Sequence, residues 1–221
     1  MSGKTALLAG ASGLVGSHVL NLLAEDAAFG RIKLITRKPL AVSLEKVSEI
    51  IVDFDELNQF SQRLASDVVF CCLGTTIKAA GSQTNFRKVD FTYCLELAKA
   101  AKAQGAKQFI LVSSMGADDK SSNFYLRTKG EIETAISALN FDSFCILRPS
   151  MLLGNRKETR PGELIGKVIM QVTGFLFAGP LKKYKAIEAQ TVARCLVELA
   201  KNPESGKLIF ESDVIARFEK A

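Results

Sequence analysis

The segment SSMGADDKSSNFYLRTK, residues 113–129, carries a pair of hydroxyls followed by a phenol and an ammonium. Tyr125 and Lys129 are four residues apart, so on a helix they share one face. A lysine cation beside a tyrosine favours the phenolate and lowers the phenol's pKa towards working pH. That suits the tyrosine to exchange a proton with a reacting oxygen. A serine at the end of the preceding strand, Ser114 or its neighbour Ser113, could hydrogen-bond a carbonyl oxygen. Taken alone, the pair is better read as part of an ordinary surface helix, so the chemistry needs support from elsewhere in the chain.

The support comes from the stretch LLAGASGLVGSHVL, residues 7–20, where Gly10, Gly13 and Gly16 lie between an apolar run and a helical one. Gly10 permits a tight turn, Gly13 lets backbone amides approach a pyrophosphate, and Gly16 lets the helix pack close to the strand. The loop also contains Ser12, Leu14 and Val15, and the unpaired amides of the following helix favour an anion. The spacing is GxxGxxG, one residue longer than GxGxxG, and the expected ligand is a dinucleotide. SGKT at 2–5 resembles part of a phosphate-binding loop, but it precedes the strand and lacks the upstream glycine. About twenty residues on, an acid would bind the ribose hydroxyl of NAD and an arginine would favour NADP. The sequence there is LITRKPL; Arg37 can form a fork with a 2′-phosphate and Lys38 can add a point charge. The expected cofactor is therefore NADP, with NAD possible.

Apolar, β-rich runs at 5–10, 32–36, 49–54, 67–73, 107–113 and 144–149 alternate with helical stretches at 13–27, 55–65, 85–104 and 123–139. Near-continuous apolar strands fit a parallel sheet buried on both faces. The alternation predicts an α/β chain of the Rossmann type: a doubly wound, mostly parallel sheet with a small C-terminal substrate-binding insert. Beyond Pro149 come a helix near 163–176, a short strand near 184–187, a helix at 189–201 and a strand at 206–210. The whole chain, 1–221, is expected to be one dinucleotide-binding domain, with about 150–188 as a small substrate-side subdomain.

Composition narrows the classes. The chain is 48% hydrophobic and 24% charged, ordinary for a protein with a real core. Its net charge of +6 is scattered, and the densest cluster, KKYK at 182–185, is too short for a nucleic-acid stripe. The start of the chain lacks the pattern of a signal peptide, and no apolar run is long enough to span a membrane. VIMQVTGFLFAG, 168–179, reads as a pocket lid or subunit contact. The five cysteines, Cys71, Cys72, Cys94, Cys145 and Cys195, read as buried thiols of a reducing compartment, the cytoplasm. No metal-ligand spacing exists, and the single histidine, His18, sits within a helix, which argues against a Ser-His-Asp triad.

Seven motifs in order extend the reading: GASGLVG (10–16), TRK (36–38), CLGTT (72–76), FRKVD (86–90), VSSMGA (112–117), NFYLRTKGEIE (123–133) and LRPSMLLG (147–154). With them the chain resembles the short-chain dehydrogenase/reductase superfamily, in its atypical branch, and most of all the Tat-interacting protein 2 group. The resemblance implies a cofactor lying across the carboxyl ends of the strands. Asp53 and Phe54 would lie near the adenine, Leu73, Gly74 and Thr75 along the adenosine ribose side, and Pro149 and Ser150 at the nicotinamide end. Ser114, Tyr125 and Lys129 would match the Ser-Tyr-Lys set, with Ser113 as the alternative serine. Asp90 departs from the asparagine that many extended relatives carry, which leaves a proton relay through that position in doubt.

The implied chemistry is reduction of a small carbonyl compound, and the apolar stretch at 168–181 suggests a hydrophobic one. The competing reading is an NADP(H)-binding regulator or redox sensor that acts through a protein partner, with a homodimer also possible. Only an enzyme needs Tyr125, Lys129 and a serine together. An epimerase or dehydratase on the same scaffold would need a larger C-terminal part than the residues after Pro149 supply.

Overall fold

A computed structural model describes residues 3–154 and 185–220. The helix expected near 163–176, the apolar stretch at 168–181 and most of the expected insert lie outside the described residues.

Seven strands form one parallel sheet: β1 (Lys4–Ala9), β2 (Phe29–Thr36), β3 (Val47–Ile51), β4 (Val68–Cys71), β5 (Gln108–Val112), β6 (Ser143–Arg148) and, last in sequence, β9 (Gly206–Glu211). Their order across the sheet is β3-β2-β1-β4-β5-β6-β9. A parallel sheet must be covered on both faces, and side chains along each strand alternate accordingly. Ala6 and Leu8 of β1 and Val68 and Phe70 of β4 join one cluster, while Leu7, Ala9, Val69 and Cys71 join the other. The first cluster is closed by α1 (Leu14–Glu25), which packs against the helix Ala189–Lys201; the second by α4 (Cys94–Ala103) and α5 (Phe124–Ser137). Each fully buried leucine or phenylalanine adds about 1.5–3 kcal/mol of transfer free energy.

The chain after β6 does rejoin the main sheet. Two short strands, β7 (Leu152–Leu153) and β8 (Ile187–Glu188), pair in parallel, so both ends of the segment between them meet side by side. From there α6 (Ala189–Lys201) leads into β9, which pairs with β6 at the sheet edge, and α7 (Ser212–Ile215) follows.

Two expected helices differ from the sequence pattern. Residues 54–64 form 3-10 turns interrupted at Glu56, because the Asp53 carboxylate accepts from the Asp55 amide and starts a tight turn. The continuous helix expected over 85–104 is split. Two short helices, α2 (Ile77–Ala80) and α3 (Gln83–Arg87), come first, then a π-helical turn over Lys88–Tyr93, then α4. The π turn contains Asp90, which is buried within it. Such wide turns are uncommon in helices and cluster at functional sites.

Candidate active site

Because all seven strands run the same way, the loops after them gather along one edge. The glycine loop follows β1, Arg37 and Lys38 follow β2, Asp53 and Phe54 follow β3, and Leu73–Thr75 follow β4. Ser113 and Ser114 follow β5, and Pro149 follows β6. The strand order reverses between β1 and β4, and at such a switch point the loops part to leave a crevice.

The three glycines of the loop have different reasons to be glycine. Gly10 has φ of +87°, and a Cβ there would lie 2.4 Å from the carbonyl oxygen of Cys72. At Gly16, which is buried in α1, a Cβ would lie 2.1 Å from the oxygen of Gly10. Both identities follow from packing within the chain. Gly13 is exposed with a negative φ, and a Cβ would meet only the Gly10 oxygen, at 3.2 Å. The protein interior does not demand a glycine at that position. Gly13 is the N-cap of α1 and supplies no capping side chain, and the first turn holds no acid. Its amides and partial positive charge are thus free of competing anions from their own turn. Ser12 is exposed, Leu14 half-buried and Val15 in the core.

At the end of β2, the hydroxyl of Thr36 is buried and has no hydrogen-bond partner among the described residues. Buried polar groups ordinarily find partners. Arg37 and Lys38, next to it, are exposed, and neither forms an ion pair among the described residues. These observations fit an anionic dinucleotide: a pyrophosphate at the bare helix start and a ribose or its phosphate at Thr36 and Arg37. Asp53 and Phe54 are further along the same edge, but their side chains are engaged. The Asp53 carboxylate caps the turn, and Phe54 is buried with its ring 5.2 Å from that of Tyr93.

The two serines are separated clearly. Ser113 is buried, and its hydroxyl donates to Glu133 of α5. Glu133 in turn accepts from Arg148 of β6, at 3.1 and 2.5 Å, and Arg148 reaches Glu211 at 3.3 Å. Ser114 is half-buried, and its hydroxyl has only the Met115 carbonyl, at 3.4 Å. The backbone here runs beside β6: Ser113 N–H donates to Leu147 and Met115 N–H to Pro149. Pro149 itself is buried. Of the pair, Ser114 is therefore the hydroxyl with donor and acceptor capacity to spare.

Helix α5 begins where the Asn123 carboxamide oxygen accepts from the Leu126 amide, the capping arrangement expected at a helix start. Tyr125 lies in the first turn, half-buried, with its ring 5.5 Å from Phe86. Lys129, one turn on, is 5% exposed. Its Nζ lies 2.7 Å from Asp90 Oδ1, an ion pair without hydrogen-bond alignment, and Asp90 Oδ2 accepts from the Thr75 amide at 2.9 Å. Burial opposes the lysine's charge, but the Asp90 carboxylate and the nearby Tyr125 outweigh it, so the Lys129 pKa is raised and the ammonium persists. A Cβ placed on Gly74 would sit 3.9 Å from Lys129 Nζ and 3.5 Å from Asp90 Oδ1. The lysine thus reaches the loop after β4. Sequence reasoning missed the Ser113–Glu133–Arg148 network entirely; a Glu four residues after Lys129 was its only trace. It also missed Gly130, where a Cβ would strike the Asp119 backbone amide at 2.1 Å, and which lets the 118–119 loop lie against α5.

Among the described residues, no cluster of metal-ligating side chains occurs, and no helix is long and apolar enough to cross a membrane. All five cysteines are free. Burial, and next the neighbouring Cys94, push the Cys72 thiol up to about 12, and burial first, then Cys145, does the same to Cys195.

Protein HTATIP2 of Rattus norvegicus is 36% identical over all of this chain and 91% of its own length. Protein fmp52, mitochondrial, of Aspergillus clavatus is also 36% identical, over 96% of this chain and 91% of its own. The solved structure of MoeE5 in complex with UDP-glucose and NAD matches 93% of this chain and 74% of its own, with a TM-score of 0.71 and 18% identity. At that identity the likeness shows the fold alone: a Rossmann-type, mostly parallel sheet flanked by helices. A family model described as NAD(P)H-binding matches from Gly10, the first glycine of the loop, to Pro203 beyond α6, and the chain belongs to that family.

Proposed function

We propose that the protein is an NADP-dependent oxidoreductase that reduces a small, hydrophobic carbonyl compound. The observation that carries this reading is the position of Lys129. It is buried on α5 one turn from Tyr125, and its ammonium reaches the Gly74 loop on the cofactor side of the sheet.

Bound along the strand ends, NADPH supplies the hydride. The α1 amides from Leu14 to Gly16 would hold the pyrophosphate, and Arg37, Lys38 and the Thr36 hydroxyl would hold the adenosine ribose and its phosphate. Leu73, Gly74 and Thr75 line the path onward, and Pro149 borders the nicotinamide end. Ser114 donates a hydrogen bond to the carbonyl oxygen and orients it. Tyr125 gives its phenolic proton to that oxygen as charge develops there. Lys129 holds the ribose hydroxyls near Tyr125. The single-domain reading, with about 150–188 as a substrate-side subdomain, is part of this proposal.

The regulatory alternative gains no support from the cysteines. Thiols held protonated by burial, such as Cys72 and Cys195, are poor redox sensors. Five free thiols support a reducing compartment, and we place the protein in the cytoplasm, a placement that cell fractionation checks.

The test follows NADPH absorbance with a panel of aldehydes and ketones. Tyr125→Phe should bind NADPH like the wild type and turn over about 10²–10⁴-fold more slowly on any active compound. Wild-type turnover by Tyr125→Phe, or no reduction of any compound while NADPH binds, overturns the reading.

A further inference from the structure

The segment that carries Ser114 is tied to α5 on both sides of the serine. Tyr125, Lys129 and Glu133 follow one another at four-residue spacing and so share one face of that helix. Just before Ser114, the Ser113 hydroxyl donates to the Glu133 carboxylate. Just after it, the Asp118 amide donates to the Leu126 carbonyl at 3.2 Å and the Thr134 hydroxyl to Asp119 at 3.0 Å. Gly130 lets the backbone of 118–119 lie against the helix there. Between these ties the Ser114 carbonyl accepts from the Ala117 amide at 3.1 Å, across Gly116 with its φ of +78°. Glu133 is 2% exposed and also accepts from two nitrogens of Arg148, the residue before Pro149. One carboxylate on the tyrosine's helix thus grips both strand ends, β5 and β6, that border the site. A buried ion pair is a poor source of stability, since apolar side chains of similar volume commonly do as well or better. It does fix geometry, because directed, charge-assisted hydrogen bonds converge on one group.

Building on the reductase reading, we propose that Glu133 is a positioning residue: through the Ser113 hydroxyl it sets where Ser114 stands relative to Tyr125 on the same helix. The carbonyl oxygen must lie within hydrogen-bond reach of both Ser114 and Tyr125 as hydride arrives. Tyr125 is placed by α5 itself. Ser114 belongs to a different element, the end of β5, and its distance from the phenol depends on how that end is tied to the helix. Glu133, two turns along from Tyr125, is the tie on the strand side. The pyrophosphate and adenosine ends of the cofactor lie on the loops after β1 and β2, away from this tie. Cutting it should therefore slow the chemical step and leave NADPH affinity alone.

The test uses the full chain. Ser113→Ala cuts the tie and leaves the Glu133–Arg148 ion pair in place, so it is the variant expected to fold. Glu133→Gln keeps the side-chain shape and one acceptor oxygen. Each should lower kcat by about 10²-fold on any carbonyl compound that the wild type reduces, the cost of a misplacement on the order of 1 Å. KM and the Kd for NADPH should stay within about twofold of the wild type. The double variant Ser113→Ala/Glu133→Gln should match Ser113→Ala within about threefold, because both changes cut one tie. Losses that multiply instead mark Ser113 as acting on the substrate itself and overturn the proposal. A lowered urea midpoint with an unchanged kcat marks Glu133 as structural only and overturns it too. A second readout needs no substrate. Met115 directly follows Ser114, and its isotope-labelled methyl signal, one of four in the chain, is identified by its loss in Met115→Leu. That signal should move by more than a linewidth in Ser113→Ala, and an unmoved signal overturns the proposal. A wild type that reduces no carbonyl in the panel, although the Met115 signal moves in Ser113→Ala, overturns the reductase reading. Reduction that depends on Tyr125, with an unmoved Met115 signal, overturns only the role of Glu133.

Discussion

Helix α5 holds two buried ionic contacts, at Lys129 and Glu133, one turn apart and built in different ways. Glu133 is saturated. It accepts from the Ser113 hydroxyl and from two nitrogens of Arg148, which also pairs with Glu211, so α5, β5, β6 and β9 are tied together. Among the described residues, Lys129 has one ionic partner, Asp90, and lies against the open end of β4 beside Tyr125. A buried charge whose partners are all protein groups acts as a clamp. A buried ammonium with one ionic partner keeps donors in reserve for a ligand. The same helix thus supplies a fastener and a reactive corner, and the geometry of the partners, not the residue type, tells them apart.

The sharpest way to break this comparison is to cut the fastener. Glu133→Ala should cost about 3–5 kcal/mol of stability, because it leaves Arg148 with less than its full set of partners. Urea unfolding measures the loss, and NADPH affinity of the folded protein should be unchanged. A comparable loss of cofactor affinity would mean that both contacts serve the site.

A smaller effect is expected at the far end of the crevice. Arg37→Ala should weaken NADPH by roughly ten- to a hundredfold, the value of about 1.5–3 kcal/mol for a charged hydrogen bond, and leave NADH nearly untouched. Fluorescence titration of both cofactors on both proteins checks it. Equal wild-type affinities for the two cofactors would remove the NADP preference.

The smallest expected effect sharpens the reactive corner. The Lys129 pKa is raised above its ordinary 10.5 in the folded chain. Its contribution to stability is therefore complete below that value and is lost as pH rises through the folded value. In alkaline urea titrations, the wild type should lose stability relative to Asp90→Asn/Lys129→Gln as pH climbs past 10.5. A constant difference between the two across that range would mean that the pair is not coupled to folding.

Much of the fold was legible because its signals are local. Apolar runs such as residues 5–10 and 107–113 must be buried on both faces, and the helical stretches between them dictate parallel crossovers. The strand ends then had to place Gly13, Arg37, Gly74, Ser114 and Tyr125 on one edge. The sequence pattern could not separate the loop's glycines by purpose, since Gly10 and Gly16 answer to the backbones of Cys72 and Gly10, contacts that exist only once β1, β4 and α1 are assembled. Nor could it show the π turn, which interrupts a stretch whose local pattern is helical throughout.

The residue types, their spacing and the order of elements determined the dinucleotide fold and the candidate Tyr125–Lys129 pair. Only the tertiary structure distinguishes the surroundings of Ser113 and Ser114: the Ser113 hydroxyl donates to Glu133, twenty residues away in sequence. Only the tertiary structure gave Asp90 its place beside Lys129, thirty-nine residues on. The physical reason is the same in both cases. A buried charge is tolerated only with a partner, and which partner it finds depends on the packing of separate helices and strands, which no periodicity along the chain records.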